Sequence, residues 1–145
     1  VVYPVHLNPA VRETVFSILG NTDRVHLIEP VNVDELHNLM ARSYMVMTDS
    51  GGIQEGAPSL AKPVLVLRKE TERPEAVEAG TVKIAGVDGD TIFSMACELL
   101  DDKEAYAKMA HAANPYGDGN ASKRIVDAIL YHFGVTDKRP EDYIG

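Results

Sequence analysis

The segment Thr48-Asp49-Ser50-Gly51-Gly52-Ile53-Gln54-Glu55 stands where an apolar, β-branched run ends and a helix can begin. At a helix start several backbone N–H groups lack partners and carry partial positive charge. Two adjacent glycines remove the side chains that would hold an anion away from those donors, and Ser50 adds a hydroxyl. Ser50, Gly51 and Gly52 are therefore candidate phosphate-binding residues; the plainer alternative is that Ser50 only caps a helix and Gly51-Gly52 only make a tight turn. The spacing supports neither a Gly-x-Gly-x-x-Gly dinucleotide fingerprint nor a P-loop with its lysine. A second segment, Arg68-Lys69-Glu70-Thr71-Glu72-Arg73-Pro74-Glu75, also follows an apolar run and precedes a helix. Both segments should open on one rim of a sheet, where Arg73, placed by Pro74, can face an anion held by the first. The alternative there is an exposed loop whose charges are merely solvated.

Other chemistry is poorly supported. Of the five histidines, His6, His26, His37, His111 and His132, no two stand three or four residues apart, and Cys97 is distant from all of them, so no metal site is expected. His6 lies between a strand-like Tyr3-Pro4-Val5 and a helix start, on the same rim as the two loops. Cys97 sits in a helical run without a basic neighbour and reads as a packing residue. No Ser/His/Asp arrangement or acid/base carboxylate pair stands out. The 145 residues carry 14 Lys+Arg against 22 Asp+Glu, a net charge of −8, with no basic stripe, which argues against a nucleic-acid groove.

The elements that must position these residues alternate. Val25-His26-Leu27-Ile28, Tyr44 to Thr48, Val64 to Leu67 and Thr81 to Ala85 read as strands, nearly continuous in hydrophobicity, as parallel strands covered on both faces are. Asn8 caps a helix with Pro9 in its first turn; Val11, Val15, Ile18 and Leu19 share a face, and Gly20 is expected as its left-handed stop. Val33, Leu36, Leu39 and Met40 form the next stripe, Pro74 opens a short helix that Gly80 closes, and two helices follow, through Ile92 to Leu99 and Tyr106 to Ala113. This order predicts an α/β doubly wound sheet with its crevice at the carboxyl ends of the strands.

Asn114-Pro115-Tyr116-Gly117-Asp118-Gly119 breaks the pattern, a last helix carries Ala121, Ile125, Ala128 and Ile129 on one face, and a charged tail begins at about residue 134. A chain of this size buries about 70% of the surface it exposes when unfolded, enough for one autonomous domain. No run approaches the ~18 apolar residues of a membrane span. The start at Val1 has neither an initiator Met nor a signal sequence, and a cytoplasmic segment of a longer protein is expected.

Tyr3-Pro4-Val5-His6-Leu7-Asn8-Pro9, Thr48 to Glu55, Ala57-Pro58-Ser59-Leu60, Thr71-Glu72-Arg73-Pro74-Glu75, Ala79-Gly80-Thr81 and Asn114 to Gly119, in this order, resemble the blocks of the bacterial non-hydrolysing UDP-N-acetylglucosamine 2-epimerases, from the first residue to about Tyr131. The resemblance implies a Rossmann-like three-layer αβα domain, the C-terminal half of a glycosyltransferase-B type architecture. It implies interconversion of UDP-N-acetylglucosamine and UDP-N-acetylmannosamine, by elimination of UDP to a glycal and re-addition after inversion at C2. Ser50, Gly51 and Gly52 match the family's diphosphate-binding turn, Arg73 its diphosphate-contacting arginine, and Val31 and Leu36 the place where uracil packs. His6 matches a histidine that contacts a second, regulatory UDP-N-acetylglucosamine. The expected partners are UDP and UDP-N-acetylglucosamine, without cofactor, metal, nucleic acid or membrane, and the intact enzyme is expected to be a homodimer.

One position departs from the family. Gly56 stands where its usual Gln-Glu-Glu-Ala-Pro has the second Glu, the residue expected to hold the ribose hydroxyls, and each charged hydrogen bond so lost contributes on the order of 1.5–3 kcal/mol. The resemblance also places the residues for proton transfer at C2 before Val1, so this chain alone is expected to be inactive. The alternatives are the donor-binding domain of a UDP-sugar glycosyltransferase, which the Thr71 to Glu75 and Asn114 to Gly119 blocks fit less well, and a non-catalytic anion- or effector-binding module.

Overall fold

The computed structural model describes residues 1–142. Strands and helices alternate as β1 (Val2–Pro4), α1 (Pro9–Leu19), β2 (His26–Ile28), α2 (Val33–Arg42), β3 (Val46–Thr48), α3 (Gly51–Gly56), β4 (Val64–Val66), α4 (Pro74–Ala79) and β5 (Val82–Ile84), followed by α5 (Gly89–Asp101), α6 (Lys103–Ala110) and α7 (Ala121–His132). A 3₁₀ turn at Pro58–Leu60 follows α3. Every strand pairing is parallel, in two groups, β1 with β2 and β3-β4-β5. This is the Rossmann-like α/β class that the order of elements predicts. The chain divides into two compact units, Val1–Leu39 and Met40–Gly145.

In the first unit, β1 and β2 pair with Tyr3 opposite Leu27, and Val5 is fully buried. Asn8 caps α1 through its side-chain oxygen, which accepts from the Ala10 N–H at 3.0 Å. Gly20, the expected left-handed stop, is instead right-handed at φ −58°, and the left-handed residue of that loop is Arg24 at φ 58°. The 3.0 Å bond from the Gly20 N–H to Phe16 O explains this: the chain makes one more helical turn before it reverses. Arg12 of α1 grips Glu29, just past β2, through two bonds of 2.9 and 2.7 Å, which holds the Glu29 carboxyl below its usual range.

In the second unit, β4 is the central strand and its Val64, Leu65 and Val66 are fully buried, as their unbroken hydrophobicity requires. Leu65 packs with Ala85, Leu99 and Met109, and Met45, Leu67, Ile92, Met95 and Ala96 complete this cluster. The Tyr44 hydroxyl donates to Leu99 O at 3.1 Å and the Tyr106 hydroxyl to Tyr44 O at 2.9 Å, with the two rings 4.3 Å apart. Tyr44 is 45% exposed and Tyr106 half-buried, and each pairs apolar ring contact with a satisfied polar end. Gly80 ends α4 at φ +82°, where a Cβ would be strained. Cys97 is a free, half-buried cysteine within α5. Residues 134–142 are irregular, and the rest of the charged tail lies outside the described residues.

Leu99→Ala removes a fully buried side chain from the α5 face that meets β4, whereas Phe93, on the same helix, is 71% exposed. In urea melts Leu99→Ala should destabilise the chain by about 2–5 kcal/mol, and Phe93→Ala by about 0.5 kcal/mol or less. Equal effects would mean that α5 does not pack as described.

Candidate functional site

The β3–β4 ladder places the two candidate loops. Met47 is in register with Leu65 and Thr48 with Val66, and the Leu67 N–H donates to Thr48 O at 2.9 Å. Because the strands are parallel, the chain leaving Thr48 and the chain leaving Leu67 depart from the same end of the sheet.

The first loop turns at once into α3. Thr48, almost fully buried, accepts the Ser50 N–H on its hydroxyl at 3.0 Å. Ser50 occupies the N-cap position with φ −86° and ψ 131°, yet its exposed side chain makes no capping bond. The N-cap alternative therefore does not account for the serine. Neither glycine lies in the positive-φ region, so a tight turn does not demand them. A Cβ on Gly52 would meet nothing within 4 Å, and one on Gly51 would meet only the Arg73 guanidinium, at 3.9 Å. Bare backbone at the first turn thus faces open space on one side and a cation on the other.

Arg73 sits between the loop after β4 and α4. Its Nε donates to Glu55 Oε1, and its Nη1 to Glu72 O at 3.0 Å. Hydrogen bonding and charge from Glu55 raise the guanidinium further above its already high value, so Arg73 is always a cation. Gln54, fully buried, links the two loops: its Nε2 donates to Ser50 O at 3.3 Å and its Oε1 accepts from the Thr71 hydroxyl at 2.6 Å. Thr71 in turn accepts the Arg73 N–H at 3.0 Å.

The structure thus brings Ser50, Gly51, Gly52 and Arg73 together. His6, Val31 and Leu36 belong to the first unit. His6 is exposed and accepts the Asn8 N–H on Nδ1 at 3.1 Å, while Val31 and Leu36 are half-buried. Among the described residues no group of three or more His, Cys, Asp and Glu is placed to hold a metal ion, and no helix is long and apolar enough to cross a membrane. A concavity of about 450 Å³ lies elsewhere, between α7 and the segment after it. Four of its charged residues are paired with one another, Asp118 with Arg124 and Lys123 with Asp127.

Sequence reasoning missed Gln54, Thr71 and Tyr116 as parts of this site, and Glu55 as the partner of Arg73. The links of Thr71 to Gln54 and of Arg73 to Glu55 span 17 and 18 residues, beyond the reach of local periodicity. Tyr116 is anchored by the loop that ends the α6 segment, where its N–H donates to Asn114 Oδ1 at 3.2 Å and the Asn114 amide donates to Ser59 Oγ at 2.8 Å. The Tyr116 hydroxyl is buried without a hydrogen-bond partner of good geometry among the described residues. The Ala76 N–H faces it but is committed to Arg73 O at 3.2 Å. Burial, then the negative charge of Glu75, push the phenol above its ordinary value.

An unsatisfied buried hydroxyl costs about 1–3 kcal/mol. Tyr116→Phe should accordingly raise the stability of the ligand-free chain by about 1 kcal/mol in denaturant melts. A loss of that size would show that the hydroxyl is bonded after all.

Residues 1–130 match the family described as UDP-N-acetylglucosamine 2-epimerase. The UDP-N-acetylglucosamine 2-epimerase of Bacillus subtilis strain 168 is 57% identical over 145 residues, 100% of this chain and 38% of that protein. The S. aureus MnaA–UDP co-structure superposes with a TM-score of 0.89 at 53% identity, covering 99% of this chain and 39% of the other. The crystal structure of UDP-GlcNAc 2-epimerase from Neisseria meningitidis bound to UDP-GlcNAc gives 0.83 at 53% identity, covering 89% and 35%. The chain spans less than two-fifths of the length of the Bacillus relative, and the match runs over the whole of this chain. With six sequence blocks, a parallel α/β fold and this level of identity in agreement, the chain belongs to the UDP-N-acetylglucosamine 2-epimerase family.

Proposed function

We propose that this chain is the C-terminal, UDP-binding domain of an enzyme that interconverts UDP-N-acetylglucosamine and UDP-N-acetylmannosamine by elimination and re-addition of UDP. The observation that carries the reading is the pair of glycines, required neither by backbone conformation nor by packing, under a guanidinium 3.9 Å from where a Cβ on Gly51 would stand. Such a place suits a diphosphate: N–H donors on one side, a permanent cation on the other, and no side chain between.

In this reading Ser50, Gly51, Gly52 and Arg73 hold the diphosphate. The Ser50 N–H is already bonded to Thr48, so Ser50 contributes its hydroxyl and the glycines contribute their N–H groups. As the bond to the sugar breaks, negative charge grows on departing UDP, and groups already in place for it lower the barrier without reorganising. Val31 and Leu36 pack the uracil. His6 contacts a second UDP-N-acetylglucosamine; with Nδ1 accepting from Asn8, a neutral ring carries its proton on Nε2 and presents a donor. The groups that move the C2 proton lie in other parts of the protein, which is cytoplasmic and a homodimer. The apolar stripe of α7, with Ile125 59%, Ile129 51% and the following Phe133 74% exposed, supports a role in covering another part of that enzyme.

Titration calorimetry of the chain with UDP and with uridine tests the reading. Arg73→Ala should weaken UDP by about tenfold to a hundredfold, the size of one charged hydrogen bond, and leave uridine within about twofold. Equal losses for both ligands, or no heat with UDP at millimolar concentration, would overturn it. Gly52→Ala provides a second check with opposite signs. It should raise folding stability by up to about 1 kcal/mol, because glycine is the poorer helix former, while its methyl group intrudes on the diphosphate and weakens UDP. A variant that is stabilised but binds UDP unchanged would remove Gly52 from the site.

A further inference from the structure

We propose that Thr71 and Gln54 are positioning residues that hold Arg73 over the Gly51-Gly52 turn, and that through this they set the preference of the site for a diphosphate over the bare nucleoside. The inference rests on the nucleotide reading and deepens it.

Three hydrogen bonds in series join one loop to the other. The Gln54 amide donates to Ser50 O at 3.3 Å, the Thr71 hydroxyl donates to the Gln54 carbonyl oxygen at 2.6 Å, and the Arg73 N–H donates to the Thr71 oxygen at 3.0 Å. Gln54 is 0% exposed. A fully buried amide is tolerated when it is satisfied, and a leucine of similar size would fill the same space without that demand. Here the partners of Gln54 are the two loops that carry the anion-binding groups. The relay begins at the carbonyl of Ser50 and ends at the amide of Arg73, so it fixes the distance between the turn and the arginine.

The far end of Arg73 is held separately, by Glu55 and by Glu72 O. The backbone end depends on Thr71. Without that hydroxyl the Arg73 amide loses its acceptor and Gln54 Oε1 loses its donor, and the loop from Arg68 to Arg73 is left tied to α3 through the Arg73 side chain and Glu55, with its backbone end released. The guanidinium then searches a wider volume before it meets the diphosphate. A displacement of about an ångström is enough to weaken a charge-assisted contact of this kind substantially. Uridine, which does not reach the guanidinium, is indifferent to the change.

Thr71→Val tests this with little change of shape, since Thr71 is half-buried and the two side chains are close to isosteric. Thr71→Ser retains the hydroxyl and should restore the wild-type behaviour. In titrations of the folded chain, Thr71→Val should bind UDP about tenfold more weakly, uridine within about twofold, and Thr71→Ser should bind UDP within about twofold of wild type. In the ligand-free chain, hydrogen exchange at the Arg73 amide should accelerate about tenfold in Thr71→Val and return to the wild-type rate in Thr71→Ser. An unchanged exchange rate overturns the positioning role whether or not UDP binds. Faster exchange with an unchanged ratio of UDP to uridine affinity overturns the link to selectivity. Failure of the wild-type chain to bind UDP, with the exchange effect present, overturns the nucleotide reading and leaves the relay established as a tether between the loops.

Discussion

The last rung of the β3–β4 ladder, the bond from the Leu67 N–H to Thr48 O, governs the rest of the site. A parallel pair sends both chains out of the sheet at the same end, so the turn at Ser50 and the arginine loop meet without any long excursion. An antiparallel pair would have placed their starts at opposite ends. Register matters equally: Thr48 stands opposite Val66, and a slip of one residue would turn Thr48 toward the other face and release the Ser50 N–H. The fully buried β4 makes such a slip costly, because Val64, Leu65 and Val66 would each exchange one packed environment for another.

That constraint bears on a problem of charge. A chain of net charge −8 gives no long-range attraction to a nucleotide diphosphate, so binding must be created locally. Arg73 supplies the local field, but it is shared with Glu55 and part of its charge is already answered. The pairing also orients the guanidinium, and an exposed arginine without partners would lose more side-chain freedom on binding. The proposed site thus exchanges some attraction for order, and the backbone N–H groups of the turn share the charge of a diphosphate with the single cation.

How much of this was legible in the sequence follows from the range of each interaction. Asn8 ahead of Pro9, and Gly80 at the end of α4, are local signals, and both were placed correctly. The apolar runs located β2 to β5, although burial on both faces holds only for β4; β2 and β3 leave His26 and Met47 exposed. Gly20 was misjudged: the signal for a left-handed stop was present, but the bond to Phe16 O keeps it helical and Arg24 takes the positive φ. That Ser50, Gly51, Gly52 and Arg73 lie together followed from strand order. The roles of Gln54 and Thr71, and the pairing of Glu55 with Arg73, are not legible because the partners lie 17 or 18 residues away in another loop, and Tyr116 because burial of its hydroxyl depends on α4.

Gly56 presents the sharpest conflict within the proposed function. It has no side chain for the ribose hydroxyls, and the neighbouring Glu55 is the only carboxylate on α3. Glu55 is engaged by the Arg73 Nε, so turning it to the ribose would release the guanidinium from one of its holders. One carboxylate cannot serve both ends of the nucleotide at full strength. The diphosphate end has the stronger claim, since a charge-assisted bond to a cation exceeds one to a neutral hydroxyl. With Glu55 held by Arg73, α3 offers the ribose of the proposed ligand no free carboxylate. On the proposed reading, affinity then rests more heavily on the diphosphate.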